Sequence, residues 1–223
     1  MGDQWNAAIT ACNAAEILAN QGRYTQAEQV ARPAERVLRA SGALAETAFA
    51  DTILGQIAAQ QGRPLEALRR LEAARAGYLK AGEPTEVVAT EISIAETLVR
   101  AGEAEDALAR IDDIASSSHM RDSDASASAL ARVRGYALAL LGRAVSAQEA
   151  VDTSLRAARQ RRDRYGEALA TDTLIQLAEN RGQLTDPGLV ARRDELFRAL
   201  GIRTVPALWS AVSSSEAGPI PDW

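Results

Sequence analysis

The feature that most constrains this chain is a set of glycines at equal spacing. Gly22, Gly62, Gly102, Gly142 and Gly182 follow one another at intervals of 40 residues. The phrases around the first four are variations on one pattern: ANQGRYTQAEQ, AQQGRPLEALRR, VRAGEAEDALAR and LLGRAVSAQEA. Ala27, Ala67, Ala107 and Ala147 stand five residues after those four glycines. Leu18, Ala58, Leu98, Leu138 and Ala178 stand four residues before the five, and Ala15, Gly55, Ala95, Gly135 and Ile175 seven before. A period of this length is the signature of stacked supersecondary units. A helix stops well at glycine, which takes the left-handed conformation without strain. If the next helix folds back onto the first, small residues are needed where the two cross.

This pattern resembles the tetratricopeptide repeat, a helix-turn-helix unit with a small residue at its eighth position, glycine at the turn and alanines further on. Residues 48 to 81 match best, through Leu54, Gly55, Gly62, Ala67, Leu71 and Ala74. The proline that usually closes the unit is absent, and Leu79 stands there. The familiar unit is about 34 residues long, so the helices or linkers here are longer. The resemblance spans about residues 5 to 200. It implies an all-α, right-handed α-solenoid of about five such helix pairs. RDRYGEALATDTLIQLAENRG and ARRDELFRALGI also look like the helical-repeat regions of large actinobacterial-type transcriptional regulators. Neither a DNA-binding domain nor a nucleotide-binding loop accompanies them, which points to a sensor fragment or a stand-alone adaptor.

The spacing predicts helix pairs at roughly 4–21 with 24–41, 44–61 with 64–81, 85–101 with 104–115, 123–141 with 144–161, and 165–181 with 187–200. Asp186-Pro187 is a strong helix start, a capping carboxylate followed by a proline in the first turn. Pro33 falls inside the second helix and is expected to kink it. SSSHMRDSD, residues 116 to 124, reads as the most loop-like interior stretch. A short helix near 205–214, carrying Leu208 and Trp209, is expected to cap the open end of the stack. Residues 1–216 are thus read as one superhelical domain and 217–223 as a flexible tail.

Composition narrows the function classes. The hydrophobic fraction is 47% and the aromatic fraction 4%, so the core rests on Ala and Leu, which favour close helix packing. Without an apolar run of about 18 residues no membrane span is expected. MGDQWNAAIT has no basic start before an apolar core, so a secretory signal is not expected and the reading is cytoplasmic. A net charge of −5 argues against a general nucleic-acid surface. With one cysteine, Cys12, and one histidine, His119, neither an internal disulfide nor a zinc cluster is available. Cys12 has no cation near it in sequence to activate the thiol and reads as packing. His119, in the serine-rich loop, lacks an orienting partner. No catalytic constellation, metal site or cofactor is expected. Trp5 and Trp209 read as seals on the terminal units, and Trp223 belongs to the tail.

In the family it resembles, the first helix of each pair lines a concave groove. Carried onto this sequence, the groove positions are Asn13, Glu16 and Asn20, then Thr52, Gln56 and Gln60, then Ser93, Glu96 and Arg100. Arg132 and Tyr136 follow, then Asp172, Gln176 and Asn180. Amides pair with both halves of a peptide unit, and arginine holds a carboxylate at two points. The competing reading is a set of solvated helix faces. The expectation is a non-catalytic module recognising a peptide or partner protein. Its alternatives are a homo-oligomeric scaffold such as a dimer built through the end faces, and a helical-repeat small-molecule binder or enzyme drawing on Glu16, Glu96, Asp172 and Tyr136. A second signal is RAARQRRDRYGEA, residues 156 to 168, with five arginines. It reads either as a site for an acidic partner or phosphate or as cations placed at the negative pole of a helix.

Overall fold

The structure, a computed structural model, describes residues 2–116 and 126–205. Its described residues form ten α-helices and no strand: α1 (Gly2–Asn20), α2 (Tyr24–Ser41), α3 (Leu44–Gln60), α4 (Pro64–Ala81), α5 (Pro84–Ala101), α6 (Ala104–Ser116), α7 (Ala127–Leu140), α8 (Ala144–Arg161), α9 (Arg164–Asn180) and α10 (Pro187–Leu200). These ends fall within a residue or two of most of the predicted ones. The predicted start at 123 and the helix at 205–214 lie wholly or almost wholly outside the described residues.

The turns have a local cause. Gly22, Gly62, Gly102, Gly142 and Gly182 all hold positive φ, between 66° and 90°. The intervening turns end on Gly42 and Gly82 in the same left-handed conformation. At α10 the Asp186 carboxylate accepts the Gly188 N–H at 2.7 Å and Pro187 opens the helix. At α9 the Asp163 carboxylate accepts the Gly166 N–H at 2.9 Å. Helix α2 runs from Tyr24 to Ser41 with Pro33 inside it.

The described chain groups into two compact units, and within each unit every helix packs on its neighbour in sequence. The first holds α1 to α5, joined by residues 204 and 205. Its core gathers Ala15, Ala27, Ala31, Ile53, Leu54 and Ile57, with Leu68, Leu71 and Ile94 beyond. Helix α3 also touches both α1 and α5, whereas α2 and α4 share no contact of that extent. Helices α1, α3 and α5 of this unit therefore lie side by side. The close approach rests on small residues: a β-carbon on Gly55 would lie 2.8 Å from Leu71 Cγ, and one on Gly77 2.9 Å from Ala48 Cβ. Asp51 on α3 is a polar tie within this core. Its carboxylate accepts from Arg39 of α2 at 2.8 Å and from Arg70 of α4 at 3.0 Å.

The second unit holds α6 to α10. Gly135 of α7 sits against Val151 of α8. Ser128 and Ser154, both buried, exchange hydrogen bonds with each other's carbonyls at 3.0 and 2.7 Å across the same helix pair. Among the described residues no helix is long and apolar enough to cross a membrane.

Candidate functional site

The register of the helices decides which polar groups meet. In the first unit, Glu16 and Asn20, Gln56 and Gln60, and Glu96 and Arg100 are pairs four residues apart near the ends of α1, α3 and α5. Residues at that spacing share a helix face, and the adjacency of these three helices makes one polar surface of the pairs.

Their environments differ. Asn13 and Asn20 are exposed, and Glu16, Gln56, Gln60, Glu96 and Arg100 are half-buried. Gln56 Nε2 donates to Ser93 Oγ at 3.0 Å, tying α3 to α5. The Arg100 side chain is only 8% exposed, and one of its terminal nitrogens bonds Glu96 at 3.1 Å. Its Nε–H and the Gln60 Oε1 are both buried, and neither has a hydrogen-bond partner among the described residues. A buried donor or acceptor left unpaired costs on the order of 1–3 kcal/mol, so these two atoms stand out. Burial and the nearby Glu86 carboxylate raise the Glu16 pKa above its ordinary value. Burial raises the Tyr24 hydroxyl as well, with the Arg100 and Glu96 charges acting on it in opposite senses. Carboxylates, amides and one guanidinium thus share a half-buried surface.

In the second unit the predicted groove positions are mostly inside. Arg132, Tyr136 and Asp172 are buried, with Tyr136 1% exposed. The Tyr136 hydroxyl is 2.8 Å from Thr173 Oγ1, and the Arg132 guanidinium lies 5.3 Å from the Tyr136 ring centre. Gln176 Nε2 donates to Asp172 at 2.6 Å, and Arg193 of α10 stands 3.6 Å from the same carboxylate. Burial raises the Asp172 pKa in spite of these partners. The amphipathic pattern placed these side chains on one face of α7 and α9, but packing against neighbouring helices closes that face over them. Glu16 and Glu96 belong to one unit, Asp172 and Tyr136 to the other. Trp209, Trp223 and His119 lie outside the described residues.

Cys12 is fully buried, with Ala8, Ala34, Leu38 and Ala50 in its cluster. Burial and the Glu35 carboxylate push its thiol up to about 11. A thiol reagent at pH 8 should therefore leave the native chain unmodified and label its single cysteine once urea unfolds it. Rapid labelling without denaturant would show that the α1 core opens.

The arginine segment 156 to 168 acquires partners invisible in the sequence. Glu167 of α9 is buried, and its carboxylate takes Arg159 Nε at 3.1 Å and both Nε and a terminal nitrogen of Arg192, from α10, at 3.1 and 2.9 Å. Sequence reasoning missed Glu167 and Arg192. One signal was present: Arg162 stands in the 40-residue register of Gly42 and Gly82.

Among the described residues the class these features define is an all-helical, repeat-like array of antiparallel helix pairs. No family model matches the chain, and no curated protein is significantly similar to it.

Proposed function

We propose that this chain is a non-catalytic recognition module of the tetratricopeptide kind, a right-handed α-solenoid acting in the cytoplasm as a regulatory or sensor element. Its ligand is an extended peptide segment lying on the face of α1, α3 and α5. The observation that carries this reading is the pair of unpartnered buried atoms, Arg100 Nε–H and Gln60 Oε1. One is a donor and the other an acceptor. A peptide unit offers the complement of both, a carbonyl to Arg100 and an N–H to Gln60, once these two side chains turn outward to meet it. Glu16, under the influence of Glu86, favours a cationic side chain on the same peptide, since a positive charge relieves the two carboxylates.

The test is selection from a random twelve-residue peptide library against the purified chain, followed by titration of the enriched peptides. Arg100→Met keeps the aliphatic stem and removes the guanidinium. It should weaken the selected peptides roughly tenfold or more, the value of one charge-assisted contact, while circular dichroism remains that of the parent. Enriched peptides that bind Arg100→Met and Glu16→Gln as well as the parent would place recognition elsewhere.

A further inference from the structure

The second unit contains a cation cluster that peptide recognition on α1, α3 and α5 does not use. Arg159, Arg162, Arg164 and Arg192 line a cleft of about 590 Å³ together with Glu167. At neutral pH the lining carries three net positive charges. The cations come from separate pieces of backbone: the last turn of α8, the turn after it, the first residue of α9, and α10.

A helix dipole does not account for all of them. Arg159 and Arg161 sit in the last turn of α8, where cations are favoured. Arg164 is the first residue of α9, the positive pole, where a cation is disfavoured. Arg162 closes α8 in the left-handed conformation, φ 58° and ψ 29°. Among the described residues it is the only non-glycine with positive φ. The equivalent turns after α2 and α4 use Gly42 and Gly82, which adopt this conformation without the steric penalty an arginine meets. Two arginines therefore stand where local preference opposes them. Neither Arg162 nor Arg164 has an ion pair among the described residues. Backbone strain that local structure does not require is a pointer to function.

Glu167 organises the other two. It holds Arg159 through Nε alone, leaving the terminal nitrogens of that guanidinium unused by it, and it grips Arg192 at two points. Two neighbouring carboxylates are engaged as well: Asp163 caps α9, and Glu195 takes the remaining terminal nitrogen of Arg192 at 2.8 Å.

We propose that this cleft binds an oligophosphate group, two or three linked phosphoryl units. Guanidinium forks match phosphate oxygens two at a time. The cleft is of the size that holds small ligands, roughly 300–1,000 Å³, and is larger than one phosphate needs. Its charge is concentrated in one place rather than drawn out in a stripe, and the chain as a whole carries −5. Both features favour a compact polyanion over a nucleic acid strand.

The test is isothermal titration with sodium tripolyphosphate at physiological ionic strength. Binding should be one-to-one and micromolar. Arg162→Gly should weaken it at least tenfold and yet raise the melting temperature by roughly 2–4 °C, since it relieves the strained turn. Arg164→Gln should weaken it similarly, with circular dichroism unchanged. ATP binding as tightly as tripolyphosphate identifies the phosphate chain as the recognised element, and tighter ATP binding identifies a nucleotide as its source. No heat at millimolar tripolyphosphate, or equal binding by both variants, overturns the proposal. So does a hexaglutamate peptide that binds as tightly, because the cleft would then be a generic acidic-partner surface.

Discussion

Gly135→Ala should destabilise the protein by about 2 kcal/mol, with a melting temperature roughly 4–8 °C lower. Two terms oppose each other. Alanine is a better helix former than glycine by about 1 kcal/mol, which taken alone predicts stabilisation in the middle of α7. The added methyl has nowhere to go. It would overlap Cγ2 of Val151 and stand 3.1 Å from the carbonyl oxygen of Ala147, both on α8. Overpacking of this kind costs about 1–3 kcal/mol, and the upper end applies because a backbone carbonyl cannot rotate away. Combining Gly135→Ala with Val151→Ala should recover the side-chain part of the loss relative to Val151→Ala alone. Gly55→Ala is the milder comparison, since both of its contacts are wider, 2.8 Å to Leu71 Cγ and 3.3 Å to the carbonyl oxygen of Ala67. Urea unfolding of the four variants measures all of this. A Gly135→Ala protein as stable as the parent would show that α7 and α8 do not pack this closely.

The same residue shows why so much of the fold was legible in the sequence. A helix end at positive φ and a small residue at a helix crossing are local requirements, and each leaves a particular amino acid behind at a fixed distance. Ala27, Ala67, Ala107 and Ala147, placed by the 40-residue spacing, are all fully buried. Polar side chains leave no such trace, because their fate depends on what the next helix brings. Arg132 and Asp172 have the pattern of a solvated helix face and are covered by neighbours. Glu167 looks like an ordinary first-turn carboxylate until Arg192, 25 residues on, closes over it. Gln60 and Arg100 were legible as positions on one face. Their unpartnered atoms follow from packing depth, which no periodicity encodes.

Asp51 is the sharpest case of such long-range pairing, and Arg70→Met should cost about 2–3 kcal/mol at pH 7. The Asp51 side chain is 6% exposed, Arg70 15% and Arg39 56%. Removing Arg70 therefore strips the buried partner and leaves the exposed one. Loss of one member of a buried pair costs about 3–5 kcal/mol, and the Arg39 contact that remains reduces this. Burial raises the Asp51 pKa above its ordinary 3.8 even with Arg39 and Arg70 in place, so the folded state already disfavours the carboxylate. For an acid raised on folding, this site costs nothing below the ordinary pKa, where both states are protonated. The penalty grows as pH rises from the ordinary value to the raised one, and is complete above it. Arg70→Met moves the raised value higher still. The difference between variant and parent should accordingly be full at pH 7 and shrink as pH falls through that window, while other acids cancel in the comparison. Asp51→Asn in the Arg70→Met background should recover much of the loss at pH 7 by removing the stranded charge. A deficit equal at pH 7 and about pH 4.5, with no recovery in the double variant, would assign the effect of Arg70 to its packed stem instead of its charge.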